Sequence, residues 1–148
     1  MLLYRNGAHT VFDLKYHIVW VTKYRKPILT DKRAVRIRTL IREICHAQNV
    51  EILKGHVSRD HIHLFVSVPP QLSVSKLTQY LKGKTSRKIL MEDKQMAKLY
   101  SGQHFWARGY FAVSSGTITD EAIMDYITHQ DEDRLERGDE FTITDSRL

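Results

Sequence analysis

A single cysteine and three prolines stand in the 148 residues of this chain. One thiol cannot close an internal disulfide, which excludes the small disulfide-framed class. Cys45 instead falls in register with Ile37, Leu40, Ile41 and Ile44 on a predicted helix, where it reads as a small core filler. No apolar run approaches the ~20 residues of a membrane span, and Met1 to Thr10 lacks the charged, apolar and small-residue layout of a secretory signal. A cytoplasmic protein without a membrane partner is expected. There is no internal repeat and no low-complexity tract, and the few prolines and glycines mark turns rather than a linker. With 42% hydrophobic residues the chain can fill one ordinary core and has no room for a second. Residues 1–148 are therefore read as one domain, with an acidic tail from about 131.

Charge is present but unevenly placed. Met1 to Tyr100 carries 19 Lys+Arg against 7 Asp+Glu, and the remainder 4 against 10, so +12 is followed by −6. A basic body favours polyanions through counterion release, and Tyr16, Tyr24, Tyr80, Trp106 and Tyr110 are available as stacking surfaces for unpaired bases. Many soluble proteins are basic, so this alone decides nothing.

Leu14 to Thr22 is rich in β-branched and aromatic residues and reads as a central strand buried on both faces. Thr30-Asp31 opens an amphipathic helix through Ile37, Leu40, Ile41, Ile44 and Cys45, with Arg33, Arg36, Arg38 and Arg42 on other faces. Val50 to Ser58 and His61 to Val68, separated by Arg59-Asp60, predict an antiparallel hairpin closed by Pro69-Pro70. Ser73 caps a second helix that carries Val74, Leu77 and Leu81 inward and Lys76, Lys82, Lys84, Arg87 and Lys88 outward to solvent or phosphate. Gly83 in its middle is locally unfavourable and favours close backbone packing over approach of a ligand. Trp106 to Ser114 predicts a fourth strand, and Thr119-Asp120-Glu121 caps a last helix that stops near Gly138. The order βαββαβ plus a C-terminal helix predicts an α+β, ferredoxin-like (RRM-like) antiparallel sheet with helices on one face.

His61-Ile62-His63 is the sharpest local feature. Strand alternation puts both imidazoles on one face while Ile62 points to the core, and two neutral imidazoles so placed can bind one divalent ion. Two histidines flanking an apolar residue also arise by accident on a solvated strand face. A two-imidazole site is incomplete, so a metal reading needs a further ligand. Asp125 to Gln130 sets Tyr126 and Gln130 four apart on one helix face, with His129 three from Tyr126. Singly, Tyr126 reads as a core residue beside Ile123 and Ile127 and Gln130 as a surface amide; conjunction with His61 and His63 favours a nucleophile beside a metal.

The chain resembles the IS200/IS605 family of single-tyrosine HUH transposases over nearly its whole length, nearest the IS200 branch. The resemblance rests on Lys15-Tyr16-His17-Ile18-Val19-Trp20 with Lys23-Tyr24-Arg25, on Asp60-His61-Ile62-His63-Leu64, and on Tyr80-Leu81-Lys82-Gly83-Lys84. Phe105-Trp106 with Arg108-Gly109-Tyr110, and Tyr126-Ile127 with Gln130, complete it. It implies that His61 and His63 are metal ligands, that Gln130 is the helix-borne third ligand with His129 as the alternative, and that Tyr126 is the nucleophile on the C-terminal helix. It further implies Mg²⁺ or Mn²⁺, where imidazoles alone would equally suit zinc. Single-stranded DNA with hairpin ends is the implied substrate, cut and rejoined through a 5′-phosphotyrosine, and the implied assembly is a homodimer. The apolar strand around Ile18 to Val21 is compatible with sheet joining across such a dimer and equally with a monomeric core. Lys23, Arg25, Lys82, Lys84 and Arg87 are the expected DNA contacts.

Two rival readings remain at this point. One is a non-catalytic or repurposed nucleic-acid-binding protein of the same fold that recognises hairpins, although no aromatic RNP-like motif is present. The other is a two-histidine phosphoesterase, which would need a second His-x-Thr or His-x-Ser motif that the chain lacks.

Overall fold

The alternation and periodicity of the sequence reappear in a computed structural model that describes residues 4–102 and 104–114, Tyr126, and the backbone of 139–141. A small hairpin, β1 (Arg5–Asn6) and β2 (Val11–Phe12), precedes β3 (Lys15–Val21), a 3-10 turn at Lys23–Arg25 and α1 (Asp31–Ala47). The chain continues through β4 (Glu51–Val57), β5 (His61–Ser67), α2 (Val74–Glu92), α3 (Lys94–Leu99), β6 (Phe111–Ser114) and β7 (Asp139–Phe141). The main sheet runs β6-β3-β5-β4-β7 with every pair antiparallel. Without β7 this is the interleaved double βαβ order of the ferredoxin-like fold, as the sequence predicts.

Each strand divides its residues between two faces. Ile18 and Trp20 of β3, Ile52 and Val57 of β4, and Ile62, Leu64 and Val66 of β5 join Ile37, Leu40, Ile41 and Ile44 of α1 and Leu77, Leu81 and Ile89 of α2 in one core. Val19 and Val21 are also buried but lie outside that cluster, so β3 is covered on both faces, as its composition predicts. Arg33 pairs with Asp93, and Arg36 with Glu92, where α1 meets the C-terminal end of α2. Trp20 and Trp106 meet edge to face at 5.8 Å, and the Trp106 indole N–H donates to Thr85.

Several expectations change. The fourth strand begins at Phe111 rather than Trp106, which makes only an isolated bridge to Thr22. Gly109 turns with φ +77°, and Lys82 Nζ takes up the Ala107 and Gly109 carbonyls at 2.7 and 2.8 Å, so these groups are withdrawn from a ladder. Close packing does not account for Gly83, because a Cβ there would meet nothing within 4 Å. β3 pairs β5 on one edge and β6 on the other, so it offers no edge for joining a second sheet. Thr30 stands at the N-cap of α1 without a side-chain bond, whereas Ser73 accepts from the Lys76 N–H as expected. The hairpin β1–β2, α3 and β7 are elements the sequence reading did not include. The expected last helix falls outside the described residues except for Tyr126, whose backbone is helical.

Candidate active site

The face of the sheet turned away from the helices carries His61, His63 and Phe65 from β5, His17 and Val19 from β3, and His56 from β4. Register sets Val21 against His61, Val19 against His63 and His17 against Phe65. On the other side His56 stands opposite His63. Four imidazoles are thereby gathered: His17 Nδ1 lies 3.1 Å from His63 Nε2, and the His56 and His61 rings are 6.3 Å apart. His17 also stacks on Phe65 at 4.3 Å. The histidines at 61 and 63 were read from the sequence. Those at 17 and 56 were not, although the same alternation applied to the neighbouring strands marks them.

His61 is the most constrained of the four. It is 4% exposed, and its Nδ1 lies 2.8 Å from Asp60 Oδ1. The second carboxylate oxygen of Asp60 accepts from Arg25 Nε at 2.8 Å and forms an ion pair with Nη2 at the same distance. Burial alone would push the Asp60 carboxyl up, but hydrogen bonds from His61 and Arg25, reinforced by their charge, hold it below the ordinary carboxylate value. The main chain of Asp60 is tied to the end of β3, since its carbonyl accepts from the Thr22 N–H at 2.9 Å.

Tyr126 meets the same face at β6. Its ring packs on Phe111 at 5.2 Å, and Phe111 is in register with Val19, itself opposite His63. Burial raises the Tyr126 phenol above its ordinary value, so the hydroxyl keeps its proton at neutral pH. The expected third ligand, Gln130, and its alternative His129 lie outside the described residues. Among the described residues no three His, Cys, Asp or Glu side chains gather as a metal cage.

The residues expected to touch DNA separate into three groups. Lys84 and Arg87 are exposed on α2, on the opposite side of the sheet from the histidines. Lys82 is partly withdrawn by its bonds to two carbonyls, and burial pushes its ammonium down. It borders a cavity of about 530 Å³ shared by Gln79, Gly83, Trp106, Arg108 and Tyr110. Arg25 is 2% exposed and faces Asp60, while Lys23 is half-buried with its N–H on the Phe105 carbonyl. Exposed Tyr24 lies between them in a left-handed conformation, φ +62°.

Comparison with known proteins gives concordant results. The family model described as Transposase IS200 like matches residues 10–130. The transposase for insertion sequence element IS200 of Salmonella typhimurium is 36% identical over 137 residues, which covers 92% of this chain and 88% of that one. A crystal structure of a putative transposase from Deinococcus radiodurans superimposes with a TM-score of 0.78 at 27% identity, over 85% of this chain and 97% of that one. A REP-associated tyrosine transposase bound to a REP hairpin shares the fold, with a TM-score of 0.52 at 15% identity over 87% of this chain and 74% of its own.

Proposed function

Because the chain belongs to the IS200-like transposase family, we propose that it cuts and rejoins single-stranded DNA at insertion-sequence ends with the Tyr126 hydroxyl as nucleophile. The observation that carries this reading is the tilted packing of the Tyr126 ring on Phe111, on the sheet face that also bears His61 and His63. Attack forms a bond from the tyrosine oxygen to phosphorus and breaks the bond from phosphorus to the 3′ oxygen. One fragment leaves with a 3′-hydroxyl, and the other stays on the protein as a 5′-phosphotyrosine. A second 3′-hydroxyl then reverses the exchange, so no ATP is needed. Burial favours the neutral phenol, so the attacking oxygen gives up its proton in the exchange, and the departing 3′ oxygen takes up one proton to become the hydroxyl, which leaves the step balanced.

The donor set fits a divalent ion. His61 has Nδ1 occupied by a carboxylate, which leaves Nε2 as its donor, and the His63 Nε2 lies 3.1 Å from His17 Nδ1 on the same sheet face. His61 and His63 would hold the ion with Gln130 as the third ligand, Mg²⁺ or Mn²⁺ following from the family. An ion held there would supply positive charge to stabilise the scissile phosphate. A transposase of the same fold is bound to a REP hairpin, which supports a hairpin-ended strand as the substrate, and exposed Lys84 and Arg87 are the candidate contacts to its phosphates. The chain is taken to act as a single-domain protomer within a homodimer.

End-labelled single strands test this. With the label at the 3′ end, the labelled piece should become attached to protein. With the label at the 5′ end, the labelled piece should run free and be extendable by a polymerase. Attachment of the 5′-labelled piece, or cleavage without attachment, overturns the proposal. Hairpin binding with no cleavage in Mg²⁺ or Mn²⁺ favours the non-catalytic relative of the same fold.

A further inference from the structure

Arg25 belongs to a run of basic residues, yet its side chain is 1% exposed and that of its partner Asp60 4%. Removing both charges from water is costly, and a hydrophobic pair of similar volume would commonly be as stable. The main chain is also bent to bring Arg25 inward: Tyr24 and Arg25 adopt φ +62° and +48°, a left-handed region that is strained for non-glycine residues. Such an arrangement requires a purpose beyond packing, and the third member of the network supplies one. Asp60 Oδ2 is taken by Arg25, and Asp60 Oδ1 meets His61 Nδ1.

Resting on the reading of His61 as a metal ligand, we propose that Asp60 and Arg25 are positioning residues that fix both the ring orientation and the tautomer of His61. Arginine can only donate and the carboxylate it holds can only accept, so His61 Nδ1 must carry the proton. Nε2 is then the only lone pair on the ring, available to a divalent cation. Arg25 acts at one remove by locking the carboxylate, which is why a residue in a basic surface run is folded inside.

Asp60→Asn tests the network because it changes little in size while reversing one bond. The Arg25 Nε–H and the guanidinium charge keep the amide oxygen, so the amide NH₂ faces His61 Nδ1, which must accept and push its proton to Nε2. Long-range proton–nitrogen correlation of the His61 ring in the full chain should show Nδ1–H in the wild type and Nε2–H in the variant. Mn²⁺ affinity, read by electron paramagnetic resonance with the metal alone, should fall about 10–100-fold. Metal-free binding of a DNA hairpin from the flank of its own gene should change less than about twofold, since the proposed contacts Lys84 and Arg87 lie on α2, on the other side of the sheet from Asp60 and His61.

Arg25→Lys keeps the charge without the planar fork and should weaken Mn²⁺ in the same direction by a smaller factor. It decides the matter if Asp60→Asn does not fold. A folded Asp60→Asn that retains Nδ1–H and wild-type Mn²⁺ affinity overturns the proposal, as does a folded Arg25→Lys with unchanged affinity. His61→Ala separates the two levels. If it loses Mn²⁺ while Asp60→Asn does not, the positioning role alone fails. If it binds Mn²⁺ like the wild type, the metal reading fails and the inference with it.

Discussion

Even- and odd-numbered residues of β5 perform different work within one strand. Ile62, Leu64 and Val66 are fully buried against α1 and α2. His61 and His63 occupy the other face with His17, His56 and, through Phe111, Tyr126. The strand period of two places the core and the histidine cluster 180° apart, so a polar cluster can sit at the centre of a sheet without interrupting the core beneath it. The same contrast extends outward. The helix-covered side also presents the exposed cations Lys84 and Arg87, which places expected phosphate contacts and expected chemistry on opposite sides of the sheet.

The comparison can be broken most severely from the inner face. Leu64→Asp places an unpaired charge in the core and should abolish the cooperative thermal transition, while Ile62→Ala should cost about 2–5 kcal/mol by chemical denaturation. On the outer face, His63→Ala should leave the melting temperature within a few degrees and reduce metal-dependent DNA attachment to background. Full attachment in that variant would remove His63 from the metal site.

Smaller effects are expected on α2. Arg87→Ala and Lys84→Ala should each weaken hairpin binding and lower the slope of log affinity against log salt by roughly one per lost phosphate contact, without altering cleavage once DNA is saturating. The smallest is the response to acid. Asp60 and Asp93 are held below their ordinary value of 3.8 by basic partners, so their stabilisation is complete above that value and is lost as pH falls through their folded values. The urea midpoint should therefore drop on acidification from about pH 5 to about pH 2, and Arg33→Gln should shrink that drop, since the Arg33 hydrogen bond is the main cause at Asp93.

The regular part of the molecule was legible because its signals are local. Composition located β3, period and capping located α1 and α2, and alternation put His61 and His63 on one face with Ile62 beneath. Elements stabilised by distant partners were not legible. β7 depends on β4, from which it is separated by more than 80 residues, and the two-residue strands of the first hairpin carry no period at all. The start of β6 was misplaced because Trp106 and its neighbours have strand-like composition, while Lys82, 25 residues from Ala107, claims the carbonyls. In the site, Arg25 looked like one more surface cation, since only the tertiary turn at Tyr24 brings it against Asp60. His17 was quoted within a motif without being given a place beside His63, which only strand pairing supplies.

The most direct measurement is to incubate the protein and Mg²⁺ with single-stranded DNA carrying the hairpin ends that flank its own gene, digest the product, and map the modified peptide by mass spectrometry. The account expects a 5′-phosphodeoxynucleotide on Tyr126 and none from Tyr126→Phe, although that variant still binds the hairpin. A nucleotide on another residue, or an adduct undiminished in Tyr126→Phe, would contradict it.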